Sequence, residues 1–213
     1  KIGHFVDIDF ETNNLSVSAL KQKLALAKTE GTLPKIVMPV HMAGHSCEMA
    51  EIFQLSQEYG FKIIEDASHA IGGKYQGQPI GSCEYSHVTV FSFHPVKIIT
   101  TGEGGIALTN DPELYEKMII LRTHGITRDR KAMNNKSEGD WYYEQIDLGL
   151  NYRMTEMQAA LGCSQMTRLD AFVAKRNEHA SFYRDRLIHL PIDLPPQQSD
   201  IYSSFHLFII KLQ

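Results

Sequence analysis

The chain has 213 residues, 43% hydrophobic and 22% charged, with a net charge of −4 and a pI near 6.2. That balance is ordinary for a soluble folded protein and carries no basic excess, so no nucleic-acid partner is expected. Its apolar runs are strand-sized, short of the ~20 residues that span a bilayer, and no charged-then-apolar leader opens it, so neither a membrane anchor nor a signal peptide is expected.

Strand-length and helical patterns alternate through the first part of the chain. A strand is expected at 4–8, a helix at 18–28, a strand at 35–40 and a helix at 47–59 with Ser46 as its N-cap. The next strand, "KIIEDA", ends in acids where a parallel strand presents its carboxyl end. Such strand–helix alternation implies βαβ units and a parallel sheet covered by helices, an α/β class. "GGKYQGQPIGS" then reads as extended segments joined by glycine turns, and "HVTVFSF" and "GGIALT" as two further strands.

"NDPELYEKMIILRTHG" is a helix capped by Asn110 or Asp111, with Pro112 at its first position and Gly125 past its end. Residues 126–147 are polar and irregular, with "NNKSEGD" as a surface loop. Thr155 and Gln158 have capping-box spacing, opening a helical stretch that runs, with a possible break, to about residue 189. "LPIDLPPQQSD" is a proline-rich link to a last strand. The chain enters a strand-like run without an initiator methionine and stops at "SSFHLFIIKLQ", so it is expected to be part of a longer protein. Three widely spaced cysteines, Cys47, Cys83 and Cys163, fit free thiols in a reducing compartment, which reads as cytoplasmic.

Chemistry concentrates in "FSFHPVKIITTGEGG". Lys97 follows an apolar strand and a proline turn; burial or a nearby cation would free its lone pair for Schiff-base chemistry. A surface loop lysine has the same sequence context, and the glycines alone would serve a turn. Asp66, at a strand's carboxyl edge, could hold a pyridine nitrogen protonated, or merely cap a helix. "HMAGHSC" offers His41, His45 and Cys47, but Gly44 argues against the continuous helix that His-x3-His ligation needs, so no metal site is expected.

"EDASHAIGG", "FSFHPVKIITTGEGG" and "GLNYRMTEMQAALG" together resemble the DegT-type aminotransferases, which use pyridoxal 5'-phosphate (PLP) on nucleotide-linked keto sugars. The resemblance implies the fold of a PLP-dependent transferase of fold type I. Residues 1–168 would be a partial, N-terminally incomplete large domain; 169–213 would be a linking helix and the start of a small C-terminal α+β domain. It puts Lys97 at the Schiff-base position, Ser92 on the cofactor phosphate and Asp66 on the ring nitrogen. His69 falls near the phenolic oxygen, and Asn151 on the phosphate of a neighbouring subunit in a homodimer with shared sites. Glycines 102, 104 and 105 would let backbone pass close to the cofactor.

Within the family, "SHAIGGKYQGQPIGS", "LRTHGITRD" and "GDWYYEQ" resemble the branch that serves pseudaminic acid biosynthesis. That implies L-glutamate as donor and a UDP-linked 4-keto-6-deoxy-N-acetylhexosamine as acceptor. Other nucleotide-sugar aminotransferases and a non-catalytic dimerising scaffold are the alternatives. Relatives with histidine for the lysine eliminate water instead, and Lys97 argues against that chemistry.

Overall fold

A computed structural model describes residues 3–135 and 138–212; residues 136 and 137 of the expected surface loop lie outside the described residues. Helix α1 (Val17–Glu30) leads to β1 (Ile36–Val37), and α2 (Met49–Tyr59) to β2 (Lys62–Asp66). A hairpin of β3 (Lys74–Tyr75) and β4 (Gln78–Pro79) precedes β5 (Val88–Ser92) and β6 (Gly105–Leu108). Next come α3 (Pro112–Arg122), β7 (Ile126–Thr127), β8 (Glu144–Gln145), α4 (Glu156–Met166) and α5 (Leu169–Leu187). The short strands β9 (Ile192–Asp193), β10 (Ile201–Tyr202) and β11 (Lys211–Leu212) follow.

The central sheet has the order β1-β2-β5-β6. β1, β2 and β5 are parallel, and β6 returns antiparallel to β5. Side chains alternate across a strand, so Val37 and Ile63 share the face covered by α1 and α2. There Leu20, Leu24, Met49, Ile52, Leu55 and Phe61 close the first core. A second core gathers Ala67, Ala70, Phe91, Phe93, Ile98 and Ile99 against Leu169 and Val173 of α5. The opposite sheet face is open: Ile36, Met38 and Val40 are exposed and Ile64, Val88 and Val90 half-buried. A parallel sheet normally has both faces covered.

Helix ends follow their local chemistry. Ser16 caps α1 by accepting from the Ala19 N–H, and Gly31, at φ 68°, closes it. Asp111 caps α3 with Pro112 just inside. Thr155 and Gln158 form a reciprocal capping box on α4. The helical stretch after it does break, at Thr167–Arg168, before α5 begins.

Four local expectations are corrected. Residues 4–8 form no strand, only an Ile8–Leu15 bridge, because the Asp9 carboxylate accepts from the N–H groups of Glu11 and Thr12 and turns the chain back. The strand expected at 35–40 pairs as a ladder only at 36–37, beyond which Pro39 lacks a donor N–H. Ser46 is buried and caps no helix: its hydroxyl donates to the Cys47 carbonyl, and Asn14 holds the His45 and Ser46 carbonyls, delaying α2 to Met49. The last strand shrinks to β10 and β11, because Phe205 adopts a left-handed φ of 44° and breaks the extended run.

Ile63 is fully enclosed in the first core. Ile63→Ala is expected to lower the unfolding free energy by about 2–5 kcal/mol. Ile106→Ala on the exposed edge strand should cost well under that, both read from urea midpoints.

Candidate active site

The site begins with strand register. Asp66 of β2 lies opposite Val90 of β5, and Ser92 is two residues further along β5. Because faces alternate, Asp66, Val90 and Ser92 share one face. Strand spacing and rise put the Asp66 and Ser92 backbones about 8 Å apart at the carboxyl end of the sheet. Both are half-buried. The Asp66 carboxylate accepts from the Ser68 N–H at 3.0 Å, and this turn carries the chain to His69.

After Ser92 the chain turns sharply. The Ser92 hydroxyl accepts from the His94 N–H at 3.4 Å, and the Lys97 N–H donates to the His94 carbonyl at 3.0 Å. Ile98 and Ile99 sink into the second core and anchor the turn that holds half-buried Lys97. The Phe93 carbonyl accepts from the Thr100 hydroxyl and the Thr101 N–H, closing the loop. Gln158 at the start of α4 donates to the Glu103 carbonyl at 3.0 Å, tying that helix to the glycine segment.

Two of the three glycines serve the chain's own packing rather than an open passage. Gly102 has a left-handed φ of 80°, whereas a Cβ at Gly104 or Gly105 would strike Thr101, Met154 or the Phe91 carbonyl. The structure therefore corrects the expectation at Gly104 and Gly105, whose neighbours are this chain's own atoms, whereas an added Cβ at Gly102 would meet nothing within 4 Å.

Electrostatics link the elements. Burial depresses the pKa of His69 below the usual imidazole range; the positive charge of Lys97 adds to this and Asp66 opposes it. His69 thus lies within the fields of both Lys97 and Asp66. Asn151 does not join them: it is exposed, and its backbone bridges Thr123.

Sequence reasoning missed His206. Its ring packs on His69 with centroids 4.5 Å apart and planes tilted by 35°. Burial first, then His69, Lys97 and Arg176, push its pKa down to about 4. A histidine within the apolar run "FHLFII" was the available signal. The histidines weighed as metal ligands are engaged otherwise. His41 is buried with Nδ1 accepting from the Cys47 N–H, and His45 Nε2 meets the Gln198 amide oxygen at 2.8 Å. Cavities of about 370 and 420 Å³ lie away from Lys97, one beside the start of α1 and the other along 196–205.

The donor set fits a phosphorylated pyridine aldehyde: an amine for a carbonyl carbon, a carboxylate for a ring nitrogen, and a hydroxyl beside a backbone N–H for phosphate.

The depressed histidines set a pH dependence. Between the unfolded value of 6.5 and about 4, the unfolded chain binds protons that native His206 refuses. Stability is therefore expected to fall as pH drops through that window, with His69 acting in the same direction. His206→Phe should flatten the fall in urea titrations between pH 7 and 4.

Residues 2–213 match the DegT/DnrJ/EryC1/StrS aminotransferase family. The spore coat polysaccharide biosynthesis protein SpsC of Bacillus subtilis is 37% identical over 211 residues, 98% of this chain and 51% of that protein. The UDP-4-amino-4,6-dideoxy-N-acetyl-beta-L-altrosamine transaminase of Campylobacter jejuni is 39% identical over 179 residues, 84% of this chain and 44% of its own. The GDP-perosamine synthase of Escherichia coli O157:H7 is 34% identical over 206 residues, 97% and 51% of the two chains. Among solved structures, Helicobacter pylori PseC, an aminotransferase involved in the biosynthesis of pseudoaminic acid, superposes with a TM-score of 0.82 at 31% identity. That match covers 99% of this chain and 52% of PseC. The sugar aminotransferase Spr1654 from Streptococcus pneumoniae, in its PMP form, gives 0.81 at 28% identity over 98% and 55%. The chain spans about half the length of the curated relatives it matches. Its fold is that of the PLP-dependent transferases of fold type I, and the chain belongs to the DegT/DnrJ/EryC1/StrS aminotransferase family.

Proposed function

We propose that the protein containing this chain is a PLP-dependent aminotransferase that moves an amino group from L-glutamate to C4 of a UDP-linked 4-keto-6-deoxy-N-acetylhexosamine, in pseudaminic acid biosynthesis. The carrying observation is the β2–β5 register, with Asp66 and Ser92 on one sheet face and His69 within the fields of Lys97 and Asp66. The UDP-sugar assignment is supported by the Campylobacter transaminase, and the pseudaminic acid reading by PseC. A GDP-linked sugar is the second reading, favoured by the similarity to GDP-perosamine synthase.

When bound, PLP supplies an electron sink for the carbanion formed at the amino-acid Cα. Lys97 Nζ would hold the cofactor through its carbonyl carbon and would serve as the base for the substrate's Cα proton. The Asp66 carboxylate would keep a proton on the ring nitrogen. Ser92 Oγ, with backbone N–H groups of the turn, would bind the phosphate, and His69 would lie near the ring oxygen.

Residues 1–168 are proposed as the PLP-binding part and 169–213 as a linking helix and the start of a small domain; the break at Thr167–Arg168 falls at that boundary. A homodimer with shared sites is proposed too. Asn151 would reach the phosphate of the other copy, and it is flanked by Leu148 (86% exposed), Tyr152 (73%) and Met157 (83%), an apolar rim with the character of an interface. The free cysteines support a cytoplasmic location, and among the described residues no helix is long and apolar enough to cross a membrane.

Borohydride trapping of the full-length protein with PLP should label Lys97 alone; a label on another lysine overturns the assignment. Lys97→Ala and Asp66→Asn should each lower turnover by about 10²-fold or more. Turnover of UDP-linked rather than GDP-linked 4-keto sugars separates the two readings.

Mixed Lys97→Ala and Asn151→Asp subunits, each inactive alone, should regain activity, because one site of the heterodimer holds both native residues. Exchange of subunits without recovered activity would count against a shared site.

A further inference from the structure

We infer that His206 is a positioning residue of this site: its ring, held in place by a clamp from α5 and the 43–44 turn, stacks on His69 and fixes that ring's plane and tautomer beside Lys97. The inference rests on the reading of Lys97 and His69 given above.

The clamp is built from several independent contacts. Arg176 of α5 donates from one guanidinium nitrogen to the carbonyls of Phe205 and His206, at 3.0 and 3.3 Å. The Ser204 hydroxyl donates to the His69 carbonyl at 2.9 Å, so the two histidine segments are bonded directly. The Ser204 N–H donates to the Gly44 carbonyl and the Leu207 N–H to the Ala43 carbonyl. A Cβ at Gly44 would lie 2.4 Å from Ser204 Oγ and 2.9 Å from the His69 carbonyl, so only glycine admits this approach. Ala43 and Phe205 both take left-handed φ values, 60° and 44°, which non-glycine residues adopt only when their surroundings hold them there. Two left-handed non-glycine residues thus lie where the 203–207 segment meets the site.

The stack has a chemical peculiarity. Nδ1 of His69 and Nδ1 of His206 are both enclosed and without a hydrogen-bond partner among the described residues. Two adjacent unpaired nitrogens cost stability, and a purely structural contact would be served better by apolar rings. Neutral imidazoles are, however, what this electrostatic setting demands. His69 faces Lys97, Asp66 and His206; His206 faces His69, Lys97 and Arg176. A proton on either ring would meet a like charge. Stacking against His206 keeps water from one face of His69 and holds its plane, so that the charges of Lys97 and Asp66 act unequally on its two nitrogens and favour one neutral form.

The test uses protein labelled with ¹⁵N-histidine and free of cofactor, with ring-nitrogen shifts followed over pH. His69 should show a single neutral tautomer in the native chain. In His206→Ala its titration should move up by about half a unit or more, and the tautomers should mix. His206→Leu serves the same purpose if the alanine variant does not fold. His206→Phe, which keeps a flat ring, should preserve the native behaviour of His69.

An unchanged His69 in a folded alanine or leucine variant overturns the inference, as does a phenylalanine variant that behaves like them. Borohydride capture of PLP at Lys97 is measured in parallel. Its failure with the shifts as expected counts against the cofactor reading alone. Capture with His69 indifferent to His206 counts against this inference alone.

Discussion

The carboxyl end of β2 is held from both sides, and the site depends on that grip. The Asp66 N–H donates to the Pro39 carbonyl, the His41 N–H donates to the Asp66 carbonyl, and the Ala67 N–H donates to Val90 of β5. The register this fixes decides between two neighbouring acids. Glu65 falls on the covered face, where its carboxylate accepts from the Thr89 hydroxyl at 3.2 Å and His41 Nε2 lies 3.4 Å away. The Cys47 N–H occupies Nδ1 of His41, leaving its ring proton on Nε2 toward Glu65. Asp66 is thereby directed to the other face with Ser92. A slip of one residue would exchange the two acids and remove the site's carboxylate. The buried polar network under the sheet thus acts as a register lock for chemistry on top of it.

Much of this was legible in the chain because its signals are local and periodic. The apolar face of α2 at Met49, Ile52 and Leu55, the Asp111–Pro112 start of α3 and the Thr155–Gln158 box are written within a few residues each. So is the strand-to-turn passage around Ser92 and Lys97. What escaped depends on partners far away in sequence. Residues 4–8 have strand composition, but a ladder needs a neighbour and they find a turn instead. Ser46 has the right type for a cap, yet Asn14, 32 positions earlier, holds its carbonyl outside the helix.

His206 escaped for the same reason. Its place against His69 is set by Arg176 of α5 and by a hydroxyl bond from Ser204 across 135 positions. No spacing rule joins "SHA" to "FHLF". The family motifs are legible because each is a continuous stretch of chain, one of them running through Lys97. The second imidazole lies in a segment whose backbone is left-handed at Phe205, where periodicity says nothing. Strain and long-range bonding coincide here with electrostatic perturbation, and that coincidence can be seen only in three dimensions.

The charges around Lys97 follow from this construction. Two fixed cations, Lys97 and Arg176, act on the histidine pair, and Asp66 is the carboxylate whose field opposes them at His69. Protonated imidazoles would add to the excess, and burial and repulsion together keep them neutral. The excess is then carried by Lys97 and Arg176, while the two rings supply shape. A site so arranged favours an anionic ligand such as a phosphate or a carboxylate, and it does so without the charge of the site swinging as pH crosses the ordinary imidazole range. The same depression of the imidazole pKa values makes the fold sensitive to acid, because the neutral state required at the site is the one an unfolded chain abandons first. Constancy of charge at the site and acid lability of the fold are two consequences of one half-buried pair.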